Sequence, residues 1–173
     1  MNTNKKPKAA IVIGSDSESP VVEGCVEVLK QFGVEAEVCT ISTHPTPCKA
    51  EQFAKDAKAN GIDVIIGAAG KAADLPGVLA ASTVLPVIGL PIKSSSADGV
   101  DPLLSVVQTP KGVPLAAVAI NGSNNAGLLA VQILSLAYKD LRVKLKDFKT
   151  EMARQVEVKD AFVKEEGVKL CKS

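Results

Sequence analysis

His44 is the only histidine in the chain, and it stands in the polar stretch Ser42-Thr43-His44-Pro45-Thr46-Pro47. An imidazole changes charge near neutrality, so a lone His in a loop suits proton transfer, and a solvated surface His is the plain alternative. Cys48 follows four residues later, where a helix should begin. A Cys–His nucleophilic pair is one reading there, and a thiol packed into the helix is the other. The stretch Gly14-Ser15-Asp16-Ser17-Glu18-Ser19 sets small residues and two acids before a helical pattern. Backbone N–H groups at such a place can receive a phosphate, while carboxylates suit ribose hydroxyls. Its alternative is a polar turn with a cap. Gly70-Lys71-Ala72-Ala73-Asp74-Leu75-Pro76-Gly77 adds one cation and one acid among residues small enough to let backbone approach a flat ligand. Lys71 could meet a phosphate and Asp74 could orient a base or cap a helix. Ser94-Ser95-Ser96 and Asn124-Asn125 offer further donors, each weak alone.

Several chemistries are disfavoured. The first loop lacks the G-x-G-x-x-G fingerprint and no acid ends the next strand, so a dinucleotide is not expected. No G-x-x-x-x-G-K-[ST] loop is present for ATP. With one His, and Cys25, Cys39, Cys48 and Cys171 unpaired in any C-x-x-C, a zinc site is not expected. No cofactor and no metal are expected. A net charge of +1 and an aromatic content of 3% leave neither a basic field nor stacking platforms for nucleic acid. No run of about 18 apolar residues suggests a membrane span. The polar start, lacking the apolar segment of a signal peptide, and the isolated cysteines suit a cytoplasmic protein.

The elements that must position these residues follow from hydropathy. The chain has 173 residues, enough for one domain spanning 1–173, with a core at about 9–137 and a C-terminal helix and tail at 138–173. Apolar runs at 9–13, 36–41, 62–67, 86–91 and 115–120 read as strands, apolar on both faces. Between them lie helical patterns. Ser19 should cap the first, with Pro20 at its first position and Gly33 ending it. Thr46 should cap the second, which Pro47 opens and which runs to about Asn60-Gly61. Others are expected at 77–84, 100–107 and 126–137, the last apolar on nearly every side and so buried. A charged amphipathic helix with Leu141, Leu145, Phe148 and Met152 on one face follows, fraying or lying on a neighbour from Lys159 onward. Strands alternating with helices imply an α/β, three-layer α/β/α sandwich with a parallel, flavodoxin-like sheet and extra C-terminal helices. Ligands in such folds sit beyond the carboxyl ends of the strands. The loops at 14–19, 42–46, 70–74 and 93–98 all leave those ends, so they converge.

Taken in order, the loops resemble one family. Gly14-Ser15-Asp16-Ser17-Glu18 is similar to the G-S-D-S-D opening of the PurE family, and Ser42-Thr43-His44-Pro45-Thr46-Pro47 to its S-A-H-R-T-P loop. Ala69 to Gly77 resembles A-G-G-A-A-H-L-P-G. Leu103 to Pro114 resembles L-L-S-x-V-Q-M-P-x-G-x-P, and Asn125 to Ala130 matches N-A-G-L-L-A. The resemblance implies an enzyme of purine synthesis acting on a small ribonucleotide without cofactor or metal. Its main members move a carboxylate from the exocyclic nitrogen of N5-carboxyaminoimidazole ribonucleotide to ring carbon four. A second class carboxylates aminoimidazole ribonucleotide with CO2. The family assembles as an octamer. By position, Ser15 and Ser42 would bind phosphate, Asp16 and Glu18 would hold the ribose, and His44 would be the general acid–base. Gly70, Ala73 and Leu75 would line the base pocket. Three departures matter: Pro45 stands for Arg, Lys71 for Gly and Asp74 for His; Glu18 for Asp is milder, adding one methylene. Lys71 could return the charge lost at Pro45, and Asp16 favours the mutase class. The alternatives are a paralogue with another substrate, a direct carboxylase, and a non-catalytic nucleotide-binding assembly protein.

Overall fold

The structure is a computed structural model that describes residues 5–70, 73–93 and 99–170; Lys71 and the Ser94–Ser96 run lie outside the described residues. Five parallel strands form one sheet: β1 (Lys8–Ile13), β2 (Glu35–Thr40), β3 (Val64–Ala69), β4 (Val87–Pro91) and β5 (Ala116–Ala117). Their order is β2-β1-β3-β4-β5, the flavodoxin-like order. Among the described residues six α-helices accompany it: α1 (Ser19–Phe32), α2 (Pro47–Asp56), α3 (Asp74–Ser82), α4 (Val100–Val107), α5 (Ser123–Leu134) and α6 (Lys139–Leu170).

The side-chain period of two splits the core across the sheet. Ile11, Ile13, Ile66, Ile88 and Leu90 point toward α1, α5 and the start of α6. Val12, Ile65 and Val87 point toward α2, α3 and Val106 of α4. Every residue of β3 and β4 is buried, as expected of strands covered on both faces. The edge strand β2 departs from the expectation, since no residue of it is fully buried. As an edge it has only one neighbour, and Glu35 and Glu37 meet Lys8 of β1 at 3.6 and 2.7 Å.

Close helix seating depends on absent side chains. Gly67 and Gly89 are register partners in β3 and β4. A Cβ on Gly67 would lie 3.1 Å from Pro76 Cα, and one on Gly89 would lie 2.4 Å from Val106 Cγ1. The two glycines therefore let the first turn of α3 and the end of α4 lie down on the sheet. On the other face a Cβ on Gly24 of α1 would lie 2.1 Å from Asn124 Oδ1 of α5. That is where Asn124 is used, in helix packing.

Helix α6 docks by its first half. Leu141 and Leu145 are buried, Phe148 packs edge-on to Phe32 with centroids 5.7 Å apart, and Lys144 Nζ donates to the Phe32 carbonyl at 2.8 Å. A lysine there satisfies an orphan carbonyl at the C-terminal end of α1.

Several sequence expectations need correction. Ser19 is the first residue of α1 rather than its cap, because Ser15 caps a preceding 3-10 turn at Asp16–Glu18. Thr46 gives its hydroxyl to the Ser42 carbonyl at 2.7 Å, so it ties the loop instead of capping α2. Helix α2 ends at Asp56, and α3 begins three residues early, at Asp74. Strand β5 is only two residues long. Helix α5 begins at Ser123 and buries one face, through Ala126, Gly127, Ala130, Val131 and Leu134. The chain from Lys159 continues as helix to Leu170, and Met152 is 52% exposed beyond the docked half.

Gly89→Ala should destabilise the protein by about 1–3 kcal/mol, since the methyl must displace Val106 in a packed core. Chemical denaturation should show a lower midpoint with an unchanged slope; an unchanged midpoint would contradict the packing described.

Candidate active site

Strands β1 and β3 are neighbours, but their following helices leave on opposite faces of the sheet. A crevice opens at such a switch point. Here it has a volume of about 430 Å³ and is lined by Gly14, Ser15, Ser17 and Glu18 after β1, by Thr43 and His44 after β2, by Ala69 to Leu75 where described, and by Ile92 and Lys93 after β4. The space suits a small molecule. A second, more open cavity of about 550 Å³ adjoins it and shares Thr43, His44, Ala73 and Asp74. Its far wall is the Gln108-Thr109-Pro110 segment.

The loop after β1 is a tight polar knot. The Ser15 side chain accepts from the Ser17 N–H at 3.4 Å and lies 3.0 Å from the Ser17 hydroxyl. The Ser15 hydroxyl donates to Asp16 Oδ1 at 3.1 Å, and the same carboxylate oxygen receives the Ser17 N–H at 3.0 Å. Glu18 reaches in two directions. One oxygen accepts from the N–H groups of Gly14 at 2.8 Å and Ser15 at 3.2 Å. The other accepts from the Gly70 N–H at 2.7 Å, across the crevice.

His44 and Asp74 face each other, Nε2 to Oδ2, at 3.9 Å. His44 is 76% exposed and Asp74 55% exposed, so the pair lies at the mouth of both cavities. Asp74 starts α3, where a carboxylate is favoured by the helix dipole. The residue before it, Ala73, takes a left-handed backbone (φ 49°) and donates its N–H to the Gly70 carbonyl at 3.0 Å. That conformation costs a non-glycine residue about 1–2 kcal/mol, and it turns the chain sharply so that Asp74 meets His44.

Of the residues expected from sequence, the crevice brings together Ser15, Glu18, His44, Gly70, Ala73, Asp74 and Leu75. Asp16 and Ser42 are not among its lining residues. Lys71 falls outside the described residues. Sequence reasoning missed Ser17, Thr43, Ile92 and Lys93. It also missed Asn121, which takes a left-handed backbone (φ 55°), accepts the Lys93 N–H at 2.9 Å and donates its own N–H to Pro91 O at 2.9 Å. Asn121 thereby fixes the backbone of Lys93. The signal was an Asn-Gly pair after a strand, a turn dipeptide that tolerates positive φ. Among the described lining residues, Lys93 is the one Lys or Arg.

The cysteines divide by burial. Cys25 is buried against the Ser123 carbonyl at 3.0 Å, and burial pushes its thiol up to about 12. Burial, with Glu37 nearby, raises Cys39 to about 11. Cys48 is exposed in the first turn of α2 and lines neither cavity. No cluster of three or more His, Cys, Asp or Glu that could hold a metal occurs among the described residues, and no helix there is long and apolar enough to cross a membrane.

A parallel five-stranded flavodoxin-like sheet with a small-molecule crevice at its β1/β3 switch point defines the class of this protein. A family model described as AIR carboxylase matches residues 8–155, and the chain belongs to that family. It is 48% identical over 164 residues to the N5-carboxyaminoimidazole ribonucleotide mutase of Pyrococcus horikoshii, covering 95% of this chain and 93% of the relative. It is 49% identical over 154 residues to the phosphoribosylaminoimidazole carboxylase of Saccharomyces cerevisiae, covering 89% of this chain but 27% of that longer protein. The crystal structure of Treponema denticola PurE superimposes with a TM-score of 0.83 at 28% identity, covering 90% of this chain and 98% of that one.

Alkylation of the native protein followed by mass spectrometry should label Cys48 at least about a hundredfold faster than Cys25, whose buried thiol holds almost no thiolate near pH 8. Equal rates would contradict the burial of Cys25 between α1 and α5.

Proposed function

We propose that this protein is an N5-carboxyaminoimidazole ribonucleotide mutase of purine synthesis. The observation that carries the proposal is the meeting of His44 with Ser15, Gly70, Ala73 and Leu75 in one crevice. Relatives bearing that activity in their names, at 44–50% identity, support it.

The phosphate end lies by the Ser15 and Ser17 hydroxyls, and the base lies against Gly70, Ala73 and Leu75. His44, as an imidazolium, gives its proton to the exocyclic nitrogen as the N–CO2 bond breaks. Ring carbon four then attacks the freed CO2, forming the C–C bond. The proton displaced from carbon four returns to His44. Proton and carboxylate are both conserved, so no redox partner or activating nucleotide is needed. The low polarity of Ala69, Ala73, Leu75 and Ile92 around the base keeps water from competing for CO2.

Pro45 offers no charge where the family has Arg. Lys93, lining the crevice with its backbone fixed by Asn121, replaces that cation, with Lys71 as a second source. Asp74 orients the His44 ring. The protein acts in the cytoplasm as an octamer; Met152, Val156, Phe162 and Val163, each more than half exposed, supply apolar surface for assembly. The carboxylase named among its relatives supports a second reading, direct carboxylation of aminoimidazole ribonucleotide with CO2.

A spectroscopic assay on both ribonucleotides tests the reaction: N5-carboxyaminoimidazole ribonucleotide should turn over and aminoimidazole ribonucleotide with bicarbonate should not. His44→Asn should lower kcat by about 10²–10⁴-fold while the ligand still raises the melting temperature. Lys93→Ala should raise KM by about tenfold or more, the loss of a charge-assisted contact of about 1.5–3 kcal/mol. An unchanged KM would remove Lys93 from the phosphate site.

A further inference from the structure

We infer that Glu18 is a positioning residue: its carboxylate couples the loop after β1 to the loop after β3 and so sets the width of the crevice. The inference rests on the proposed site, but not on which reaction occurs there. Three N–H donors converge on this one side chain, from Gly14, Ser15 and Gly70, at 2.8, 3.2 and 2.7 Å. Gly70 is 52 residues away in sequence, so this is a tertiary tie and not a local cap. A carboxylate offers about four lone-pair sites, and three are taken. Hydrogen bonds to a charged acceptor are about twice as strong as neutral ones, which suits a clamp between two loops.

Two consequences follow for ligand binding. The amides of Gly14 and Ser15 already have an acceptor, so this loop holds an anion through the Ser15 and Ser17 hydroxyls rather than through a ring of backbone N–H groups. The tie also fixes the start of the segment Gly70–Asp74. Because Ala73 donates its N–H to the Gly70 carbonyl, a shift of Gly70 carries Asp74 with it, and Asp74 faces His44. Glu18 thus acts on His44 through the loop rather than by touching the reacting atoms. Length matters here. Aspartate, one methylene shorter, draws the carboxylate back by about 1.5 Å, too far to keep both loops at hydrogen-bond distance.

The test compares wild type, Glu18→Gln and Glu18→Asp by amide hydrogen exchange at Gly70 in the ligand-free protein and by steady-state kinetics. Glutamine keeps the shape but turns a donor toward one set of N–H groups; aspartate keeps the charge but not the reach. The expected result is Gly70 exchange at least tenfold faster in both variants, with kcat falling tenfold or more in Glu18→Gln and a similar melting temperature. Gly70 exchange unchanged in either variant that folds would overturn the inference, whatever the kinetics. Faster exchange in Glu18→Gln with kcat unchanged and only KM raised would overturn it too, since that is the signature of a direct substrate contact. If Glu18→Gln does not fold, Glu18→Asp alone decides by exchange at Gly70. Exchange is read without ligand, so failure of the proposed reaction and failure of the loop tie are separately visible.

Discussion

Everything at the functional end of this protein depends on how the chain closes the gap between β1 and β3. A parallel sheet whose order reverses between these strands sends successive helices to opposite faces, and the loops part. Parting exposes backbone N–H groups on both sides, and each needs an acceptor. The carboxylate of Glu18 accepts from both sides at once. The crevice is therefore a held opening with fixed walls, and the residues on those walls come from elements far apart in sequence.

Among the described residues the charged groups on the walls are few: Glu18, the His44–Asp74 pair and Lys93. An aspartate 3.9 Å from the only histidine gives the imidazole a partner that can accept from its ring N–H. Lys93 reaches the same crevice from the end of β4, where Asn121 holds its backbone. The crevice thus gathers an imidazole and an ammonium group, each approached from a different strand. Left-handed Ala73 is the local strain that makes the histidine–aspartate meeting geometrically possible.

Much of the fold was legible because it follows from periodicity. The strands β3 and β4 are fully apolar runs, β1 is one after Lys8, and α1 has a clear apolar stripe closed by Gly33 in the left-handed conformation. What failed was local. Hydropathy cannot see that Leu115 to Ile120 pairs over only two residues, nor that Asp74-Leu75-Pro76 already belongs to α3, since proline is tolerated in a first turn. Ser15, His44, Gly70 and Asp74 were readable because residue type and loop position agree. The tie from Glu18 to Gly70 was not readable, because a carboxylate suits a sugar hydroxyl and a backbone amide equally well. Lys93 and Asn121 were missed because their importance lies in a contact between two loops 28 residues apart.

The function of the crevice turns on where a ribonucleotide lies. A crystal structure with 4-carboxy-5-aminoimidazole ribonucleotide measures this directly. It should show the phosphate at the Ser15 hydroxyl with Lys93 nearby, and the His44 ring at about 3–3.5 Å from ring carbon four. A ligand seated away from the β1/β3 crevice, or with His44 turned from the ring, would contradict it.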